Sequence, residues 1–277
     1  MEGKCPFKIY GNPRFQTSSL VVGWTEDSGK LGSKVIDYLN KKLGAQEFAE
    51  IEPVDFFPLG GVSIIDDVAY FPESKFYYCP GRDLVFSRSS PPRAEWHRFL
   101  NSVLDVAEQH CQAKELYTIG GMVSLSAHTA PRELLAVVNS PEMKKTLSPY
   151  DLRLDMNYQT PSGQRPTLSS LLLWIAKGRN IPGVSLWVPI PFYLVELEDP
   201  QAWREPLKFF DQRFDLGLDF SDLDEEIRRQ NEQLAQIRAR LPEIDNYIRR
   251  LEINLGLTAK ENEKLVKEIE EFLGKRD

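Results

Sequence analysis

Thr118–Pro131 reads TIGGMVSLSAHTAP, and its interpretation decides the fold. Leu116–Ile119 (LYTI) is short, apolar and rich in β-formers, and Gly120-Gly121 predicts a turn at its end. The polar loop that follows carries Ser124, Ser126, His128 and Thr129. In α/β proteins ligand sites lie on loops at the carboxyl edge of the sheet, so these four residues are the first candidates for lining a pocket.

Working outward, Ser18–Trp24 (SSLVVGW) predicts a strand, and Lys34–Leu43 places Val35, Ile36, Leu39 and Leu43 on one helical face. An extended segment is expected at Ala49–Pro58. Val62–Phe86 holds the alternating runs VAYF, KFYYC and LVF, punctuated by Pro72-Glu73 and Pro80-Gly81, which predicts a hairpin or meander. From Pro92, Trp96, Phe99, Leu100, Val103, Leu104, Ala107 and Cys111 follow a 3.6 period and predict a helix. Beyond the central stretch an extended run at Leu134–Val138, a helix at Leu168–Lys177 and a strand at Val184–Val188 are expected. Pro200 opens a helix carrying Trp203, Leu207, Phe210 and Phe214, with Gly217 beyond its end. Strands alternating with helices predict a mainly parallel sheet covered on both faces.

Ser221 begins a different pattern. Leu223, Ile227, Leu234, Ile237, Leu241, Ile244, Ile248, Leu251 and Leu255 share one heptad register, interrupted by Gln230. Pro242 removes an intrahelical hydrogen bond and kinks a helix at about 3 kcal/mol, so two helices are expected there. Gly256 is placed to end the second in a left-handed cap, and Thr258–Glu261 (TAKE) has the spacing of a capping box. The organisation expected is an α/β body over 1–220 and a helical segment over 221–277 that ends in a helical hairpin. Nine aliphatic residues must be covered, and a second copy or the chain's own body would each satisfy the pattern.

Composition narrows the function. With 42% hydrophobic and 27% charged residues the chain is expected to build a large core. Cys5, Cys79 and Cys111 are too scattered for a disulfide framework or a cysteine metal site, which fits a reducing cytoplasm. Met1–Asn12 has no long apolar core, and Ser170–Ala176 is too short to cross a bilayer, so neither export nor a membrane role is expected. A net charge of -7 without a basic stripe argues against nucleic acid.

The chemical motifs are weak. Gly23–Leu31 (GWTEDSGKL) has Gly29-Lys30 before a helix but five residues between Gly23 and Gly29, Leu31 where a Mg²⁺-binding hydroxyl belongs, and Glu26 and Asp27 to repel phosphate. A helix-entry loop is expected. His97 and His110 fall on the helix after Pro92, and His128 on the loop; none has the spacing of a zinc ligand. No GxSxG elbow occurs. No catalytic residue, metal or cofactor is therefore assigned.

Three segments in order resemble the proteasome assembly chaperone 2 family. Gly120 to Pro131 is similar to its strand, glycine turn and HTRP-like loop, Tyr158–Gly163 (YQTPSG) to its Gly-Pro-x-Gly loop, and Ile181–Tyr193 (IPGVSLWVPIPFY) to its IPxxSLWxxxPHY segment. The departures are Ala130 and Phe192 at an arginine and a histidine position, with an arginine at Arg132. Gly274-Lys275-Arg276-Asp277 also lacks the hydrophobic-Tyr-x tail by which some relatives are thought to dock on proteasome rings. The resemblance implies a three-layer α/β/α, phosphorylase/hydrolase-like fold. It also implies a non-catalytic, homo-oligomeric assembly protein, with the seam from Leu223 to Leu255 read as an oligomer contact and a proteasome-like or other ring protein as client. The alternative is a nucleoside phosphorylase-like or hydrolase-like enzyme, with a pocket formed by Gly120, Gly121, Ser124, Ser126, His128, Thr129, Tyr158, Gly163 and Tyr193.

Overall fold

The computed structural model describes residues 6–57 and 61–274. Cys5, Pro58 and Lys275-Arg276-Asp277, named above, lie outside the described residues. The chain forms an α/β fold around an eight-stranded sheet. In chain order its strands are β1 (Phe7–Ile9), β2 (Ser18–Trp24), β3 (Gln46–Ile51), β6 (Ser74–Tyr78), β7 (Leu84–Ser89), β8 (Ala113–Ser124), β9 (Leu135–Val138) and β10 (Gly183–Pro191). A separate hairpin pairs β4 (Ser63–Ile65) with β5 (Val68–Tyr70).

Across the sheet the order is β1-β3-β6-β7-β2-β8-β10-β9. β2 is parallel to both neighbours, β7 and β8, and Leu20, Val21 and Val22 are buried, as a strand packed on two faces requires. On one side the pairing turns antiparallel: β6 returns to β7 through the Pro80-Gly81 turn, and β3 pairs with β6. Two crossovers fix the layers. α1 (Leu31–Leu43) carries the chain from β2 over β7 and β6 to β3, and α2 (Trp96–Cys111) carries it from β7 back over β2 to β8. Right-handed crossovers in opposite directions put α1 and α2 on opposite faces. The close approach of α1 to the sheet is built in: a Cβ on Gly23 of β2 would lie 2.3 Å from the Gly32 carbonyl of α1.

By internal contacts the chain divides into two compact units: Met1–Glu26, Gly32–Gly120 and Leu135–Leu186 in the first, Asp27–Leu31, Gly121–Leu134 and Trp187–Asp277 in the second. The first unit's core joins β2, β3 and β6 to α2 and to α4 (Leu168–Gly178). Phe99 sits edge-on to Phe56 and Phe57 at 5.1 and 5.7 Å, and burial of such a side chain contributes about 1.5–3 kcal/mol. Arg179, at the end of α4, bonds to Asp105 and Glu108 of α2 at 2.7 Å each.

In the second unit, α5 (Pro200–Phe214) is followed by α6 (Ser221–Arg240), α7 (Pro242–Glu252) and α8 (Ala259–Leu273). The heptad seam breaks where Leu241 is extended and Pro242 begins α7, because proline supplies no amide donor but suits a first turn. Without a second copy, Leu223, Leu234, Ile237, Ile244, Ile248 and Leu251 are already buried; Ile227 and Leu241 are half-buried and Leu255 is exposed. α6 packs on α5, α7 and α8, and α8 also packs on the turn Phe192–Leu194. Gln230, the polar break in the seam, donates to the Glu198 carbonyl at 2.5 Å. α8 opens with the expected capping box of Thr258 and Glu261.

Several boundaries differ from the sequence expectation. β8 runs through Gly120-Gly121 to Ser124, so the glycines sit inside a strand and make no turn. α2 starts at Trp96, four residues after Pro92, because the Arg93 and Ala94 amides bond to the Phe56 carbonyl and hold that stretch outside the helix. Asn254, not Gly256, takes the left-handed position after α7. β1 and the seven-residue α3 (Pro141–Leu147) are additions, α3 being capped by Ser140 and anchored by Met143 and Leu147.

Candidate functional site

The loop after β8 is held by groups brought from remote parts of the second unit. The Tyr193 hydroxyl oxygen accepts the His128 backbone N–H at 2.6 Å and lies 2.9 Å from the ring Nδ1. The hydroxyl thus engages both the backbone and the ring of His128, donating to Nδ1 or accepting from it according to the ring's tautomer. Burial, with the positive charges of Arg238 and Arg132, lowers the His128 pKa to about 4, so the ring is neutral near pH 7. Burial pushes the Tyr193 phenol up, which keeps its donor proton in place.

Arg132 lies four residues beyond His128, and its guanidinium donates to the Ala130 carbonyl at 2.8 Å. Nε and Nη2 reach one Asp199 carboxylate oxygen at 3.3 and 3.2 Å, both side chains being 2% exposed. The other Asp199 oxygen accepts from the Ala202 amide and caps α5. At the loop's outer edge Thr129 donates to Glu252 at 3.1 Å. Glu252 in turn pairs with Arg238, whose hydrogen bond holds the Glu252 carboxyl below its usual range.

Ser124 and Ser126 bond to one another at 2.7 Å. Gly121 is a point of backbone approach: a Cβ there would lie 2.0 Å from the Ser28 carbonyl, and its amide donates to Asp27 at 3.0 Å. The Gly23–Leu31 loop therefore turns a carboxylate inward onto an amide. Gly29, at φ 68°, faces Ile190, whose side chain would meet a Cβ there at 2.5 Å.

The second unit thus brings together His128, Tyr193, Thr129, Gly121, Ser124 and Ser126 from the candidate set. Gly120, Tyr158 and Gly163 belong to the first unit; Tyr158 is 75% exposed, and Gly163 has φ 84° with open space where a Cβ would be. His97 is exposed on α2, and His110 in its last turn packs edge-on against Phe7. Cys79 and Cys111 are buried, and burial pushes both thiols up to about 12, far from a nucleophile's range. Among the described residues no group of three His, Cys, Asp or Glu side chains is placed to hold a metal ion, and no helix is long and apolar enough to cross a membrane.

Two features of the structure escaped the sequence. The Arg132–Asp199 pair was signalled only by Asp199-Pro200, a capping residue followed by a first-turn proline. The other is a cleft of about 220 Å³ in the first unit, at the carboxyl ends of β2 and β7. Thr25, Glu26, Ser90 and Arg93 line it on the sheet side, and Tyr70 and Phe71 on the hairpin side.

The model of the PAC2 family matches residues 20–238. No curated protein matches the sequence. Among solved structures, an archaeal proteasome activator of Pyrococcus furiosus is similar with a TM-score of 0.68 at 21% identity, covering 84% of this chain and 98% of its own. A proteasome-assembly chaperone homologue of Mycobacterium tuberculosis gives 0.67 at 19% identity, covering 83% and 99%. A second M. tuberculosis protein, of unknown function, gives 0.75 at 17% identity, covering 97% and 98%. Likeness at these identities speaks to the fold.

Proposed function

Because the chain belongs to the PAC2 family, we propose that it is a non-catalytic, oligomeric assembly protein of the cytoplasm that acts on other proteins. The client class is a proteasome subunit or another ring-forming protein. The observation that carries this reading is the family match over residues 20–238, supported by structural neighbours described as a proteasome activator and a proteasome-assembly chaperone homologue. The loop geometry supports the non-catalytic part. One ring nitrogen of His128 is engaged by the Tyr193 hydroxyl, and Arg132, the loop's cation, is paired with Asp199. These groups satisfy one another and fix the loop as a rigid surface.

The heptad seam supports a narrower statement. Six of its nine aliphatic positions are buried without a second copy, which favours the seam as a cover within its own unit and leaves self-association to another surface.

The test is capture of native complexes on the full chain, with cross-linking before lysis and identification by mass spectrometry. A proteasome subunit or other ring protein recovered in stoichiometric amounts supports the reading. Recovery of the chain with no such protein, together with turnover of nucleosides or esters that vanishes in His128→Ala, would replace it with the enzymatic alternative.

A further inference from the structure

The hairpin β4–β5 is apolar on both faces. Its register pairs Ser63 with Tyr70, Ile64 with Ala69 and Ile65 with Val68, so Ile65, Val68 and Tyr70 share one face. Ile64 lies on the other, and by the two-residue period Val62 and Phe71 continue that face. All six large side chains are exposed, Ile64 by 74% and Phe71 by 68%. Among the described residues the two strands pair with each other alone. Asp66 and Asp67 close the turn at φ 49° and 61°, the left-handed pair that a two-residue hairpin turn requires.

We propose that this hairpin is the self-association arm of the protein, and that its occupant is a second copy of the chain. A two-stranded ribbon is marginal by itself, and one with apolar side chains on both faces and two free edges is an aggregation hazard unless it is covered all the time. A transient client does not give constant cover. A second copy does, because it is always present in equal amount.

Area points the same way. At roughly 150–250 Å² for a large side chain, the six offer on the order of 600 Å², most of the about 800 Å² per partner that a stable interface needs. The cleft at the hairpin's base offers a socket beside that surface. Its 220 Å³ admits a bulky side chain, and Phe57, Pro72 and Pro91 line it alongside Tyr70 and Phe71. A twofold arrangement places each arm on its partner's arm and cleft, an isologous contact that closes on itself.

The proposal rests on the oligomeric part of the function above and not on the client, so its test uses the purified full chain alone. Light scattering of the wild type across micromolar concentrations is expected to show a homo-oligomer. Ile64→Asp is expected to raise its dissociation constant on the order of thirtyfold or more, as for an interface hot spot, with unchanged far-UV circular dichroism. Should Ile64→Asp misfold, hydrogen exchange on the wild type decides. The Ser63–Tyr70 amides are expected to slow in exchange as concentration rises, while those of β2 do not change. A wild type that stays monomeric, an oligomer that survives Ile64→Asp, hairpin exchange independent of concentration, or protection that appears only when another protein is added would each overturn the proposal.

Discussion

Replacing Asp199 by alanine leaves the Arg132 guanidinium buried with no counter-charge. The two side chains are each 2% exposed, and Arg132 cannot turn outward without abandoning the Ala130 carbonyl it holds at 2.8 Å. Removing one member of a buried pair costs about 3–5 kcal/mol. The same substitution removes the α5 cap, worth about 1 kcal/mol, so Asp199→Ala is expected to destabilise the second unit by about 4–6 kcal/mol. Asp199→Asn keeps a capping oxygen and loses only the charge, and is expected to be milder by about 1 kcal/mol. Arg132→Met combined with Asp199→Ser removes both charges, keeps a cap and is expected to recover most of the loss, since apolar replacement of a buried pair is often neutral. Urea denaturation followed by tryptophan fluorescence, with Trp203 buried on α5, measures the wild type and these variants, and Arg132→Met and Asp199→Ser made singly complete a double-mutant cycle for the pair. The reasoning fails if Asp199→Ala costs less than about 1 kcal/mol, or if the double variant is less stable than either single one.

His128 carries a pH signature. Its folded pKa of about 4 lies below the unfolded value of 6.5, so the unfolded chain takes up the proton first; stability is full above about pH 6.5 and falls as pH drops towards 4, by about 3 kcal/mol in all. His128→Asn is expected to flatten that window in urea midpoints measured between pH 7.5 and 4.5, the range set by these two values, and an unchanged slope would refute the assignment. In the seam, Ile237→Asp with Ile244→Asp places two carboxylates at buried positions and is expected to lower the melting temperature while leaving any oligomer's subunit number unchanged; scattering that shows dissociation with the fold intact would return the seam to an intermolecular role.

Periodicity made much of the fold legible, because Leu20, Val103, Leu116 and Val184 are buried for the reasons their spacing implies. It failed where one long-range contact outweighed local preference. Gly120-Gly121 looks like a turn, yet the strand continues there because Gly121 must lie against the Ser28 carbonyl, 93 residues earlier in the chain. Pro92 looks like a helix start, but the Phe56 carbonyl holds the two amides that follow it. The site was half legible. Sequence likeness placed His128 and Tyr193 in one candidate set, whereas nothing local ties Arg132 to Asp199, 67 residues away. The hairpin's alternating runs were visible, but the exposure of its apolar side chains on both faces is a property of tertiary structure.

The second unit is stitched from three separated stretches of chain, and this gives it a history in time. Thr129 waits for Glu252, 123 residues downstream, and at about 5–20 residues per second of synthesis that partner arrives roughly 6–25 s later. Through that interval the nascent loop carries a basic Arg132, a titratable His128 and their unanswered backbone groups in water, with His128 near its ordinary pKa. Only when α5 and then α7 emerge do Asp199 and Glu252 reach them, so the loop acquires its neutral, rigid form late in the life of the growing chain.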